Sequence, residues 1–159
     1  AAGLCQLPGA LMMIAVSPLS ARLSDARGPR VTLLAGSLLI AAGYIVRIVL
    51  HAELWHLSVT AMVIYSGIGL AYGALPALIM ANVPVSETAA ANAANALSRL
   101  VGASVGSATA SAVLVTLTVT VAGETYPSAT AFLVLSAVGA AAALGAATLA
   151  RAIALPEHR

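Results

Sequence analysis

Charged residues are scarce in this sequence, and lysine is absent altogether. Only 8% of the 159 residues are charged, whereas 61% are hydrophobic, and the mean hydropathy is +1.03. A soluble domain of this length needs a polar surface that such a composition cannot supply. The composition therefore excludes a soluble globular protein, and the small net charge of +2 gives no reason to expect nucleic-acid binding.

Cysteine and histidine are too few, and too badly placed, for a catalytic or metal site. Cys5 is the single cysteine, so it forms no disulfide within the chain and offers no metal cluster. His51 and His56 lie in a predicted outer loop and His158 at the C-terminus, away from any serine inside a helix. Paired acids, a phosphate-binding loop and metal-ligand spacings are also missing. We therefore expect no enzymatic activity, no metal and no cofactor.

Long apolar stretches alternate with short polar ones along the whole chain. Each stretch has room for the roughly 20 residues that cross about 30 Å of hydrocarbon. The sequence predicts an all-α, polytopic transmembrane helix bundle with a cytoplasmic loop at 21–30 and a cytoplasmic tail at 151–159. Its five predicted spans are about 3–20, 31–50, 58–80, 98–121 and 129–150.

Residues 115–121 alternate between threonine and an aliphatic side chain, a pattern typical of a half-buried strand. An unpaired strand in lipid would leave backbone polar groups unsatisfied, whereas a helix satisfies them internally. We therefore expect the fourth helix to continue through this segment to residue 121.

The arginines sort to one side of the predicted membrane. If loops alternate across the bilayer, one face receives Arg22, Arg27, Arg30, Arg99, Arg151 and Arg159, and the positive-inside rule makes that face cytoplasmic. The opposite loops contain Glu53 and Glu124 but no arginine. Together with the alanine-rich, lysine-free composition, this predicts a multi-pass protein of a bacterial plasma membrane with a cytoplasmic C-terminus.

Arg47 lies inside a predicted span, whereas Arg99 is at the cytoplasmic end of its span. Arg47 is near the outer end of the second helix, where a long side chain can reach the membrane interface. The other interpretation is an ion pair or a contact with an anionic substrate. Sequence alone leaves both open.

Residues 21–30, ARLSDARGPR, form the densest polar segment. An aspartate among three arginines can make charge-assisted bonds, and Gly28 permits a tight connection between two helices. The segment resembles the loop motif G-x-L-a-D-r-x-G-r-r of the major facilitator superfamily, with matches at Leu23, Ser24, Asp25, Gly28 and Arg30 and with Arg27 as a further basic residue. The other interpretation is that these arginines only anchor the loop to anionic headgroups.

Residues 82–88 and the helix after them look like the second half of bacterial drug:proton antiporters, particularly those with fourteen spans. A stripe at steps of 3, 4, 3 and 4 residues carries this likeness: Asn92, Asn95, Arg99, Gly102 and Gly106. The resemblance implies a C-terminal part of a secondary transporter whose N-terminal helices are partners outside this chain. It further implies proton-coupled export of small hydrophobic or cationic drug-like compounds by alternating access.

In such a transporter, the loop at 21–30 would stabilise one access state, with Asp25 as a latch and Arg27 or Arg30 as its partner. The stripe from Asn92 to Gly106 shares one helical face. Its glycines form a G-x-x-x-G pattern that lets helices approach closely, and Gly69 and Gly73 repeat the pattern on the third span. We interpret the stripe as helix packing, with a sliding surface or an inner gate as the alternative.

Tyr65, Ser66 and Tyr72 are the candidates for a substrate path on the third span, because aromatic walls with a polar tip suit amphipathic molecules. Tyrosines at helix contacts are the simpler interpretation. All five acids fall in loops or at helix ends, so a proton-coupling carboxylate is expected elsewhere in the transporter. The alternative function is a small integral-membrane scaffold without transport activity.

Overall fold

A computed structural model describes residues 2–50, 54–121 and 123–152, which are helical except for short connections and one hairpin. The helices are α1 (Ala2–Arg27), α2 (Pro29–Val49), α3 (Leu54–Asn82), α4 (Thr88–Thr116) and α5 (Ala129–Ala152), with a 3-10 turn at Val85–Glu87. Strands β1 (Thr118–Val121) and β2 (Glu124–Pro127) separate α4 from α5. Within the described ranges, five helices are long and apolar enough to cross a membrane.

Helix α3 is the centre of the bundle. It packs against α1 on one side and α2 on the other, and α5 covers the far side of α2. Helix α4 meets α3 and α5 at few positions, and none of its residues is buried. The packed part of the fold is therefore the row α1, α3, α2 and α5, with α4 standing beside it.

Glycines let α3 approach both of its neighbours closely. A Cβ at Gly73 would lie 2.5 Å from Oγ of Ser20 on α1. On the other side, a Cβ at Gly36 of α2 would lie 2.7 Å from the backbone nitrogen of Ala71. Ser20 also donates a buried hydrogen bond to the Leu70 carbonyl oxygen over 2.8 Å. The glycine pattern predicted on the third span therefore packs as expected.

Small residues also bring α5 against α2. Ala140, Ala143, Ala147 and Ala150 are buried at steps of 3, 4 and 3 residues, which places them on one face of α5. Tyr44 of α2 rests on Gly139, where a Cβ would lie 2.6 Å from Cζ of the tyrosine ring. An interface of this kind needs no charge and excludes lipid from both helices.

The prediction of helix through residues 118–121 is wrong. Helix α4 begins at Thr88, ten residues before the predicted start of the span, and ends at Thr116. Its 29 residues already extend about 43 Å, more than the hydrocarbon thickness, so the chain after it needs no helix. β1 instead pairs antiparallel with β2, with Val119 opposite Tyr126, and Gly123 takes a φ of +87° in the turn. The alternating pattern was the correct signal, because the hairpin satisfies the backbone groups.

The segment predicted as a loop at 21–30 is also largely helical. Helix α1 continues to Arg27 and α2 begins at Pro29, so Gly28 alone is outside a helix. The polar residues of this segment therefore occupy the last turns of α1 and the first turn of α2. The predicted tail at 151–159 lies outside the described residues after Ala152.

Candidate functional site

Gly28 makes the junction between α1 and α2 possible. Its φ of +88° and ψ of 150° belong to a region that residues with a side chain rarely adopt. Its N–H donates to the Ser24 carbonyl oxygen over 2.9 Å and so ends α1. Pro29 then begins α2 with a φ already suited to a helix. A buried bond from the Ser24 hydroxyl to Oγ1 of Thr32, over 3.1 Å, ties the two helix ends together.

Arg30 connects this junction to the other end of the chain. Its Nε donates to the Ala150 carbonyl oxygen over 3.0 Å, and its Nη2 donates to the carbonyl oxygen of Arg151. The last carbonyls of a helix have no partner within the helix, and they carry the negative end of its dipole. The guanidinium therefore caps the C-terminus of α5 while it belongs to the first turn of α2.

In this conformation Asp25 is not paired with Arg27 or Arg30, the partners that the resemblance implies. Its side chain is exposed, and no described residue pairs with its carboxylate. Arg30 instead binds the end of α5, and Arg27 is exposed in the last turn of α1, where its charge favours the helix dipole. Leu23 is half-buried beside them. The motif residues lie together at one end of the bundle. The helices are connected there by Arg30 and the backbone carbonyls of α5, not by an ion pair of Asp25.

The polar part of the α4 stripe contacts α3 at one point. The guanidinium carbon of Arg99 lies 3.9 Å from the ring centroid of Tyr72, which is a cation–π distance. Asn92 donates from its side chain to the Thr88 carbonyl oxygen within α4 over 3.0 Å, and Asn95 is half-buried. Arg99 and Tyr72, predicted for different roles, are therefore one contact between α4 and α3.

Gly102 and Gly106 have no helix packed on them. A Cβ at either position would meet no atom within 4 Å, in contrast to the glycines of α3. The packing predicted for these two residues is thus absent from the described part of the chain. The physical reason is that α4 stands away from α2 and α5, which leaves a gap in front of its glycines.

That gap has the concave character of a binding site. We name it the α2–α4–α5 cleft, and its volume is about 640 Å³. Its walls include Tyr44 and Arg47 from α2, Gly102, Gly106 and Thr109 from α4, and Phe132, Ser136 and Gly139 from α5. A concave, mostly apolar cavity with a few polar groups is typical of small-molecule sites.

Most hydroxyl groups in the cleft are already bonded to their own helices. Thr109 donates to the Val105 carbonyl oxygen over 2.8 Å, and Ser136 donates to that of Phe132 over 2.8 Å. Arg47 differs, because no described residue accepts a hydrogen bond from its guanidinium or pairs with its charge. A smaller cavity of about 190 Å³ adjoins the cleft and shares Arg47, Phe132 and Ser136 with it. Arg47 therefore stands where two cavities meet.

The substrate path predicted from Tyr65, Ser66 and Tyr72 does not coincide with this cleft. Ser66 is buried and donates to the Met62 carbonyl oxygen over 2.7 Å, and the Tyr65 ring contacts Gly9 of α1. These residues serve helix contacts because α3 is the central helix of the row. Sequence reasoning missed Tyr44, although its position three residues before Arg47 places both on one helical face.

Comparisons with protein-family models, with curated proteins and with solved structures find no significant match to this chain. Among the described residues, no group of three or more His, Cys, Asp or Glu side chains is arranged to hold a metal ion. The fold and the cleft therefore carry the functional argument.

Proposed function

We propose that this chain is a helical module of a secondary active transporter, which moves small amphipathic compounds across a membrane by alternating access. The observation that carries the proposal is the α2–α4–α5 cleft, a cavity of about 640 Å³ among helices long enough to cross a bilayer. Buried packing on the other side of α2 supports a rigid wall for such a cavity. The absence of packing by described residues against Gly102 and Gly106 supports α4 as a movable wall of the same cavity.

The weak attachment of α4 favours movement of that helix. It meets α3 at few positions, among them the Arg99–Tyr72 pair, and a Cβ at Gly102 or Gly106 would meet no described atom within 4 Å. A rotation of α4 would therefore change the width of the cleft and break little packing. A carrier that alternates between two states needs a helix whose two positions have similar free energies, and a weakly packed α4 meets that need.

Membership of the major facilitator superfamily, proton coupling and export remain proposals that rest on the likeness of residues 21–30 and 82–106. The described acids are Asp25, Glu87 and Glu124, all of which are exposed at helix ends or in the hairpin. A proton-coupling carboxylate is accordingly assigned to helices outside this chain. We also propose a bacterial plasma membrane and a cytoplasmic C-terminus, which the composition and the distribution of arginines favour.

The proposed substrates do not include the cationic compounds that the resemblance implies. A cation in the cleft would lie near the guanidinium of Arg47, and like charges repel strongly in a medium of low dielectric constant. Neutral or anionic amphipathic compounds fit the same walls without that repulsion.

A scaffold that holds a partner protein is the second candidate, because α4 exposes a long apolar surface. Leu97, Leu100, Val101 and Val105 are each more than 60% exposed. A partner helix that covered this surface permanently would also fill the space beside the cleft. The two functions differ in whether the cleft opens to both sides of the membrane.

Thiol labelling of a cleft residue separates these functions. In a Cys5→Ser background, Thr109→Cys should react with a membrane-impermeant maleimide in right-side-out vesicles and also in inverted ones. Thr60→Cys is the matched control, since Thr60 is 1% exposed inside α3 and should react in neither. Reaction of Thr109→Cys in one vesicle orientation alone would favour the scaffold.

A further inference from the structure

We infer that the α2–α4–α5 cleft binds an amphipathic anion, with its carboxylate or phosphate group on Arg47 and its apolar body along α4 and α5. This inference deepens the proposed function by naming the chemical class of the ligand. It depends on three features of the cleft, which are the charge of Arg47, the apolar length of the walls and the absence of an acid among the described lining residues.

The charge of Arg47 has no partner in the described chain. A guanidinium inside a membrane helix is costly, and such residues pair with one another, with carbonyls or with a ligand. Arg30 shows what a satisfied arginine looks like in this fold, because it donates to two backbone carbonyls. Arg47 lines the cleft, and no described residue accepts a hydrogen bond from it. An incoming anion would supply that acceptor, and an arginine fork matches carboxylate and phosphate oxygens well.

The rest of the cleft suits a hydrocarbon or aromatic body. On α5 the lining extends from Phe132 to Ala142, a rise of about 15 Å along the helix. On the opposite wall, Gly102 and Gly106 present bare backbone with no side chain in front of it. A narrow apolar molecule can therefore lie along the cleft while its head reaches Arg47.

Selectivity for charge follows from the lining. Arg47 is the only charged residue among the described residues that line either cavity. Tyr44, one helical turn away on the same face, adds a hydroxyl that no described residue bonds. A cation of the same size would meet the same apolar walls and an unfavourable charge.

Two sources could supply this ligand chemistry, namely an anionic phospholipid or a small organic acid. Equilibrium binding of radiolabelled dodecanoate to the purified protein in phosphatidylcholine nanodiscs tests the shared chemistry. We expect saturable binding, competition by unlabelled dodecanoate and no competition by dodecyltrimethylammonium. Repeating the measurement with phosphatidylglycerol nanodiscs identifies the source: competition by this lipid indicates a headgroup site, and unchanged binding indicates a small acid.

Variants locate the site. Arg47→Gln should weaken binding by about tenfold or more, while Arg47→Lys should keep most of it because the positive charge remains. Arg22→Gln is the matched control, since Arg22 is exposed and is not among the residues that line the cleft. As a second arm that leaves the charge intact, Gly106→Leu should fill the cleft and reduce binding, whereas Gly145→Leu on α5 should not.

Equal binding of the anion and the cation, or full binding by Arg47→Gln, would overturn the inference. The result is also separable from the proposed function. Binding at Arg47 without two-sided labelling of Thr109→Cys would retain the anion site and remove the transporter. Two-sided labelling without dodecanoate binding would do the opposite.

Discussion

Nε of Arg30 donates a hydrogen bond to the carbonyl oxygen of Ala150, 120 residues later in the chain, over 3.0 Å. This bond places the first turn of α2 against the last turn of α5. The same guanidinium also donates to the carbonyl oxygen of Arg151, so one side chain satisfies two backbone acceptors. The polar segment at 21–30 therefore serves the closure of the bundle in this conformation.

Replacing Arg30 should loosen that closure. Hydrogen bonds that involve a charged group contribute about 1.5 to 3 kcal/mol, and partial exposure lowers the figure, so Arg30→Ala should reduce the free energy of unfolding by about 1 to 2 kcal/mol. Unfolding in mixed micelles and hydrogen exchange at the end of α5 both measure the change. Arg22→Ala is the control, because Arg22 is exposed and makes no hydrogen bond to a described residue. Equal losses for both variants would contradict this role.

Gly28 should resist substitution for a reason confined to the backbone. A Cβ there would meet nothing within 4 Å, yet the φ of +88° is strained for alanine. Gly28→Ala should therefore lower the free energy of unfolding by about 1 to 3 kcal/mol. Gly145→Ala provides the contrast, since it has equal space and lies within a helix, where alanine is favoured by up to about 1 kcal/mol. Thermal unfolding of the two variants should shift in opposite directions.

Replacement by alanine should affect stability differently at a packed glycine of α3 and at an open glycine of α4. A Cβ at Gly67 would lie 2.7 Å from the Gly36 carbonyl oxygen and 2.8 Å from the Ile40 nitrogen, so α2 and α3 must move apart. Overpacking of this kind costs about 1 to 3 kcal/mol. Gly106→Ala should keep or slightly raise stability, because its front is open and alanine is favoured over glycine within a helix. Similar destabilisation of both variants would mean that another helix covers α4.

Membrane orientation can be checked at exposed positions. In a Cys5→Ser background, Arg27→Cys should react with an impermeant thiol reagent from the cytoplasmic side, and Glu124→Cys should react from the opposite side. Both side chains are exposed in the structure, so unreactive protein would reflect the membrane and not burial. The reverse pattern would contradict the arginine-based topology.

Much of the fold was accessible from composition, because any apolar stretch of sufficient length forms a helix in lipid. The limits of α4 were harder to predict. The alanine-rich segment at its start and the threonine-rich segment at its end carry no charge that would mark the membrane boundary. The strand pattern at Val119 was dismissed on the assumption that it lay within lipid. The 29-residue length of α4 removes that assumption.

The site was harder to predict than the fold, because tertiary placement decides what a glycine or a tyrosine does. Gly73 and Gly106 occupy the same kind of pattern, yet one presses on Ser20 and the other faces the cleft. The position of Tyr44 could not be predicted, because its neighbour in the structure, Gly139, is 95 residues away in the sequence. The sequence alone did not decide whether Arg47 reaches the membrane interface or contacts an anion, because the cavities that it lines are formed by helices distant in sequence.

The order of helices along the chain has a consequence for biogenesis. Helix α5 is the last of the five described helices to be synthesised, and it packs on the side of α2 away from α3. At typical synthesis rates, the 120 residues that separate Arg30 from Ala150 take about 6 to 24 s to add. During that interval Tyr44 and the small residues of α2 face lipid or the insertion machinery. A ribosome that stalls before residue 129 would therefore leave α2 packed against α3 but without α5 on its other side.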